Sequence, residues 1–263
     1  MPATSLRRAG AFLILLVTLS ACGVFNRFQG FRPDEYTTNE SLYRASLDQL
    51  ERGKWGNAVA GFEKLTLELP ARDTLLPRAY WYLAKAHAGN REHLLAAQGF
   101  IRLTESFPDD TLADDALLES GREYARLWRR PVLDPQYGLL AISTLNSLAA
   151  LYPSSPLVPE AQREIQRLTE WLATKDYETG LFYMRRKAYD PAIIYFQDVV
   201  EKYPETGRAR DARLRLVEAY REIRYRDDAN EVCAELRRSY PGDAEVRELC
   251  GAAAADSATV ARP

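Results

Sequence analysis

The chain has 263 residues, with 35 Lys+Arg against 37 Asp+Glu for a formal net charge of −2, a near-balance that excludes a nucleic-acid binder working through bulk positive charge. Leu and Ala supply about 70 residues and Val and Ile fewer than 20, which favours helix over sheet. A content of 46% hydrophobic and 27% charged residues excludes a largely disordered or collagen-like chain, so an ordered all-α protein is expected.

Arg7 and Arg8 precede an apolar run over residues 11–19. That is too short for the roughly 20 residues a spanning helix needs, and it has the layout of a secretory signal. The run ends in Leu19-Ser20-Ala21-Cys22, which resembles the lipobox of bacterial lipoproteins. The resemblance implies removal of residues 1–21, a covalent lipid on Cys22 and, with Gly23 next, transport to the outer membrane facing the periplasm. An ordinary cleaved signal with a chance cysteine is the competing reading. Acyl chains hold a protein on a bilayer by burying methylenes, so no spanning helix is required. Residues 22–38 show aromatics without helical period and are expected to form an extended tether.

Beyond the tether the dominant signal is repetition. Pro70, Pro108, Pro153, Pro204 and Pro241 follow bulky residues at intervals of 38, 45, 51 and 37. Twelve residues before each stands Ala58, Ala96, Ala141, Ala192 or Ala229; eight before, Phe62, Phe100, Leu145, Phe196 or Cys233; five before, Leu65, Leu103, Leu148, Val199 or Leu236. These three positions share one face of a helix that the proline then ends. The pattern resembles the tetratricopeptide repeat, in which a small Ala lets two helices approach and an aromatic fills the space between them. In the first helix of the repeat the matching close-contact positions hold Ala84, Gly121 and Gly180, while Ser46 and Val217 depart from the small-residue preference.

The excess length of two intervals can be located. In the third repeat it falls in residues 128–137, WRRPVLDPQY, whose prolines make it a loop. Before the fourth it extends a helix: residues 158–186 hold a single Gly, with Ala161, Ile165, Leu168, Leu172 and Leu181 near one face. The expected architecture is a superhelical array of five helix hairpins with this long bridging helix between the third and fourth. Residues 39–153 would hold repeats 1 to 3, residues 154–251 the bridging helix, repeats 4 and 5 and a terminal helix, and residues 252–263 a flexible tail.

Chemistry of catalysis is not apparent in the sequence. His87 and His93 are six apart, on different helical faces, and match no zinc spacing; the pairs Asp109-Asp110, Asp114-Asp115 and Asp227-Asp228 sit at helix starts, where carboxylates cap amide donors. No metal and no cofactor are expected, and function must rest on surfaces. First-helix positions project Tyr43, Leu47 and Leu50, then Arg78, Trp81 and Lys85, then Leu118, Arg122 and Arg126 toward a concave face. The opposing reading makes Tyr43, Trp81 and Leu118 core residues. Cys233 and Cys250 lie 17 apart about the turn at Tyr240-Pro241-Gly242, so they are equidistant from it across the final hairpin. A disulfide, favoured by export, and two packed free thiols both stay open.

The lipobox, Asp134-Pro135 in the insertion, Gly53-Lys54-Trp55-x-x-Ala58-Val59 at the first hinge and Lys175-Asp176-Tyr177-Glu178 before the fourth together resemble the BamD family of outer-membrane protein assembly lipoproteins over about residues 22–245. The resemblance implies a non-enzymatic scaffold whose first repeats take the C-terminal signal of unfolded β-barrel proteins. Its fourth and fifth repeats would dock a BamA-like insertase, with further assembly lipoproteins as partners. Arg221, Arg224, Tyr225 and Arg226 are the docking candidates, since Arg and Tyr are favoured interface anchors; a solvated hinge is the alternative. The competing function is a periplasmic repeat adaptor for cell division, pilus assembly or a cell-wall enzyme.

Overall fold

A computed structural model describes residues 30–251, and among them the regular structure is eleven α-helices preceded by a 3-10 turn at Pro33–Glu35, with no strand. Two units partition the chain, Met1–Glu92 and His93–Pro263. This division falls inside the segment expected to hold the first three repeats rather than near residue 153.

The first unit contains α1 (Asn39–Glu51), α2 (Trp55–Glu68) and α3 (Leu76–Gly89), each packed against the next. Thr38 starts α1 with a capping box: its Oγ1 accepts from the Ser41 amide at 3.2 Å while its own amide donates to Ser41 Oγ. Leu42, Tyr43, Phe62, Leu65 and Ala79 are buried, and the rings of Tyr43, Phe62 and Tyr82 meet pairwise at 5.7–6.1 Å. Ser46, which breaks the small-residue rule by sequence, is wholly buried because Gly61 gives way opposite it: a Cβ there would fall 2.0 Å from Ser46 Oγ. The segment expected to be extended is not extended throughout. The Pro33–Glu35 turn packs on α2, with Asp34 bound by Lys64 at 2.7 Å. Residues 1–29, including Cys22, and residues 252–263 lie outside the described residues.

The second unit runs α4 (His93–Ser106), α5 (Ala113–Leu127), α6 (Gln136–Leu151), α7 (Val158–Arg185), α8 (Tyr189–Lys202), α9 (Gly207–Glu222), α10 (Arg226–Ser239) and α11 (Ala244–Gly251), each in contact with its successor. All fifteen positions of the Ala–bulky–apolar triplets are buried, none above 3% exposure. Gly121 and Gly180 are at close contacts as expected, since a Cβ on either would come within 2.6 Å of Leu145 or Phe196. At 28 residues α7 is about 42 Å long. Leu168 and Leu172 join the α5–α6 core, while Ala173 and Tyr177 join that of α8–α9, so one rigid helix is shared by two cores.

Turns after α1, α3, α7 and α9 share a geometry: Gly53, Arg91, Lys187 and Arg224 adopt φ of 59–68°. The next amide then reaches back to the carbonyl of Gln49, His87, Tyr183 or Tyr220 at 2.8–3.1 Å, satisfying an orphan acceptor. The third repeat lacks this turn. Residues 128–135 connect α5 to α6 instead, and Asp134 Oδ1 accepts the Gln136 amide at 3.0 Å, so Asp134-Pro135 starts α6 two residues into the expected loop end.

Candidate functional site

Six of the nine expected groove residues lie in the first unit. Arg78, Trp81 and Lys85 occupy one face of α3; Arg78 and Lys85 are exposed, Trp81 is half-buried, and the Lys85 ammonium sits 5.6 Å from the Trp81 ring. Leu47 and Leu50 of α1 are half-buried. Tyr43 belongs to the core rather than to an open surface; burial, with Tyr82 next, raises its phenol pKa, and the charge of Arg78 opposes the shift. The hinge motif is structural: Trp55 lies against Gly89 at the end of α3, where a Cβ would meet the indole at 2.5 Å.

In the second unit Leu118 is likewise core. Arg122 pairs with Glu119 at 2.7 Å and with Glu160 of α7; Arg126 pairs with Glu123, a buried carboxylate that also meets His93 Nδ1 at 2.6 Å. His87 Nδ1 meets Glu92 at 2.7 Å, so each histidine has a carboxylate partner, and no group that could hold a metal occurs among the described residues.

Arg122 and Arg126 open onto a cleft of about 460 Å³ that sequence reasoning did not assemble, lined also by Trp128, Arg129, Glu164, Arg167 and Trp171. Trp128 and Trp171 meet edge to face at 5.4 Å, and the Arg167 guanidinium lies 5.5 Å from the Trp171 ring. Trp128 is 2% exposed and its indole Nε1 is buried without a hydrogen-bond partner among the described residues. A buried donor left unmade costs desolvation energy. The signal available by sequence was the spacing of Glu164, Arg167 and Trp171 on one face of the long helix. Nothing local says that Trp128 joins them.

The docking candidates scatter around one hinge. Arg221 donates to the Leu249 carbonyl at 2.8 Å and so ties α9 to α11. Arg224 holds the left-handed turn position, Tyr225 is 56% exposed and stacked on Tyr220 at 6.4 Å, and Arg226 is exposed at the start of α10. In the second motif Tyr177 is core, 5.5 Å from the Phe196 ring, and burial pushes the Asp176 carboxyl up. Cys233 and Cys250 form a disulfide with Cα atoms 5.4 Å apart.

The family model described as "YfiO: Outer membrane lipoprotein" matches residues 35–236, well over half of the chain. A relative from Caulobacter vibrioides named outer membrane protein assembly factor BamD is 26% identical over 208 residues, 78% of this chain and 67% of the relative. One of the same name from Vibrio cholerae is 28% identical over 192 residues, 69% of this chain and 79% of the relative. Among solved structures, a tetratricopeptide repeat protein from Parabacteroides merdae is 16% identical, with 84% of this chain and 76% of that one covered at a TM-score of 0.36. A tetratricopeptide protein of Thermus thermophilus is 19% identical, with 82% and 98% covered and the same TM-score of 0.36. No helix among the described residues is long and apolar enough to cross a membrane.

Proposed function

The chain belongs to the YfiO family of outer membrane lipoproteins, and we propose from that premise that it is a non-enzymatic scaffold for assembling outer-membrane β-barrel proteins, held on the periplasmic face through a lipid on Cys22. In this reading it takes the C-terminal segment of an unfolded barrel protein and docks a BamA-like insertase, beside other assembly lipoproteins. The names of the Caulobacter and Vibrio relatives support the assembly role.

The observation that carries the ligand class is the α5–α7 cleft. The exposed Arg126 and Arg129 on its rim suit a carboxylate, and the partly exposed Trp171 ring suits an apolar or aromatic side chain. Arg78, Trp81 and Lys85 offer a like combination on α3. The insertase is assigned to the hinge at Arg221, Arg224, Tyr225 and Arg226.

Fluorescent peptides from the C-terminus of a barrel protein, with a free carboxylate, amidated or scrambled, test the ligand. The free acid should bind about tenfold more tightly than the amide, one charge-assisted hydrogen bond's worth. Equal affinity for the scrambled peptide removes the reading. Depletion in cells should lower barrel proteins before other envelope proteins; early loss of division or pili supports an adaptor role instead.

A further inference from the structure

The connection between α5 and α6 carries a feature that peptide binding leaves unused. The Leu133 amide donates to the Arg130 carbonyl at 3.1 Å, closing a four-residue turn with Pro131 at its second position, where the fixed φ of proline fits. The last two side chains of that turn, Val132 and Leu133, are 55% and 46% exposed. Across a shallow cleft of about 420 Å³ Val132 faces Phe182 of α7, itself 42% exposed. Three large apolar side chains thus meet water in one neighbourhood.

Cations surround them. Arg129, Arg130, Arg185 and Arg186 are exposed, Lys175 and Arg185 line the same cleft, and the Arg186 guanidinium lies 3.5 Å from the Phe182 ring centroid. The acids nearby are Asp134, engaged in capping α6, and Glu178. This surplus is local, since the whole chain carries −2.

We infer that this turn is a lipid-contacting element: Val132, Leu133 and Phe182 enter the interfacial layer of a bilayer while the guanidinium groups meet anionic phosphates. Two consecutive apolar side chains at a turn offer far less than the roughly 800 Å² per partner of a stable protein interface. They suffice as the second signal for a chain already held by an acyl anchor. The inference rests on the membrane location proposed above and adds a contact independent of Cys22.

Cys233 and Cys250 are bonded to each other, so Leu133→Cys in the acylated chain introduces one reactive thiol for a polarity-sensitive dye. The labelled protein is reconstituted into vesicles of phosphatidylethanolamine and phosphatidylglycerol carrying a lipid-bound quencher. The probe should shift to the blue and be quenched, while a control at Leu67→Cys, 85% exposed in the native chain, should not respond. The mature-length chain, residues 22–263 with Cys22→Ser, should bind the same vesicles weakly and lose about tenfold or more with Val132→Asp, and 1 M salt should also release it. Water-like emission from Leu133→Cys in the acylated, vesicle-bound chain overturns the inference and leaves the anchor intact. So does shielding that requires added periplasmic protein. Failure of the acylated chain to join vesicles at all instead removes the anchoring premise.

Discussion

Gly138 on α6 lies so close to the Trp128 indole that a Cβ at that position would fall 2.1 Å from Cε3 of the ring. Trp128 ends α5, so this contact sets how α6 returns after the inserted connection, and it fixes one wall of the cationic cleft. Gly138→Ala should therefore cost about 1–3 kcal/mol, the range for overpacking a filled core. Denaturant unfolding measures it, and the tryptophan emission of the folded state should change with it. An unaltered midpoint and spectrum would show that the indole can step aside at no cost.

The Cys233–Cys250 disulfide closes the last hairpin, where Arg237 also donates to the Cys250 carbonyl at 3.0 Å. A bridge over a loop of this length contributes about 3 kcal/mol in the chain-entropy model. Reduction, or Cys250→Ser, should speed amide exchange in α10 and α11 and leave α4 to α6 protected. Uniform loosening of the second unit would mean that the hairpin is not an independent structural element.

Asp243 receives the Arg210 guanidinium at 2.7 Å and caps α11 through the Glu245 and Val246 amides. The Arg210 hydrogen bond, foremost, holds its carboxyl below the usual carboxylate range. A lowered folded-state pKa means that the stabilisation is present above the ordinary value of 3.8 and fades as pH falls through the folded one. Exchange at the start of α11 should accelerate as pH drops below that range, beyond the intrinsic pH effect. In Asp243→Asn that acid sensitivity should disappear.

On α3, Arg78→Ala combined with Trp81→Ala should weaken barrel-peptide binding by about tenfold, as loss of an aromatic–cation anchor does. Circular dichroism should stay native, because Arg78 is exposed and Trp81 only half-buried. Unchanged affinity assigns the peptide to the second unit alone.

Replacing Cys22 with Ser should release the mature chain from membranes or leave an unprocessed precursor, read by fractionation and mass spectrometry. Fractionation with the outer membrane at the native level would mean that a lipid on Cys22 is not the anchor.

What the sequence determined by itself is the helical skeleton and its inward faces. Ala, Phe and Leu at spacings of four and three, closed by a proline, are local quantities, and all fifteen repeat positions are buried accordingly. The ends of α7 and the turn at Tyr240 were legible for the same reason. Cys233 and Cys250 are equidistant from that turn, which is enough to bring them face to face once the hairpin forms.

Tertiary structure alone decided which outward-facing candidates reach solvent. Tyr43 and Leu118 occupy expected groove positions, yet each is covered by a helix whose placement no local pattern encodes. Arg122 is engaged by Glu160, 38 residues away, and Trp128 meets Trp171 across a similar gap. Gly61 makes room for Ser46, a compensation invisible until two helices cross. Periodicity reports the face a side chain takes on its own helix; burial, ion pairing and an unfilled indole donor depend on what a distant segment brings to that face.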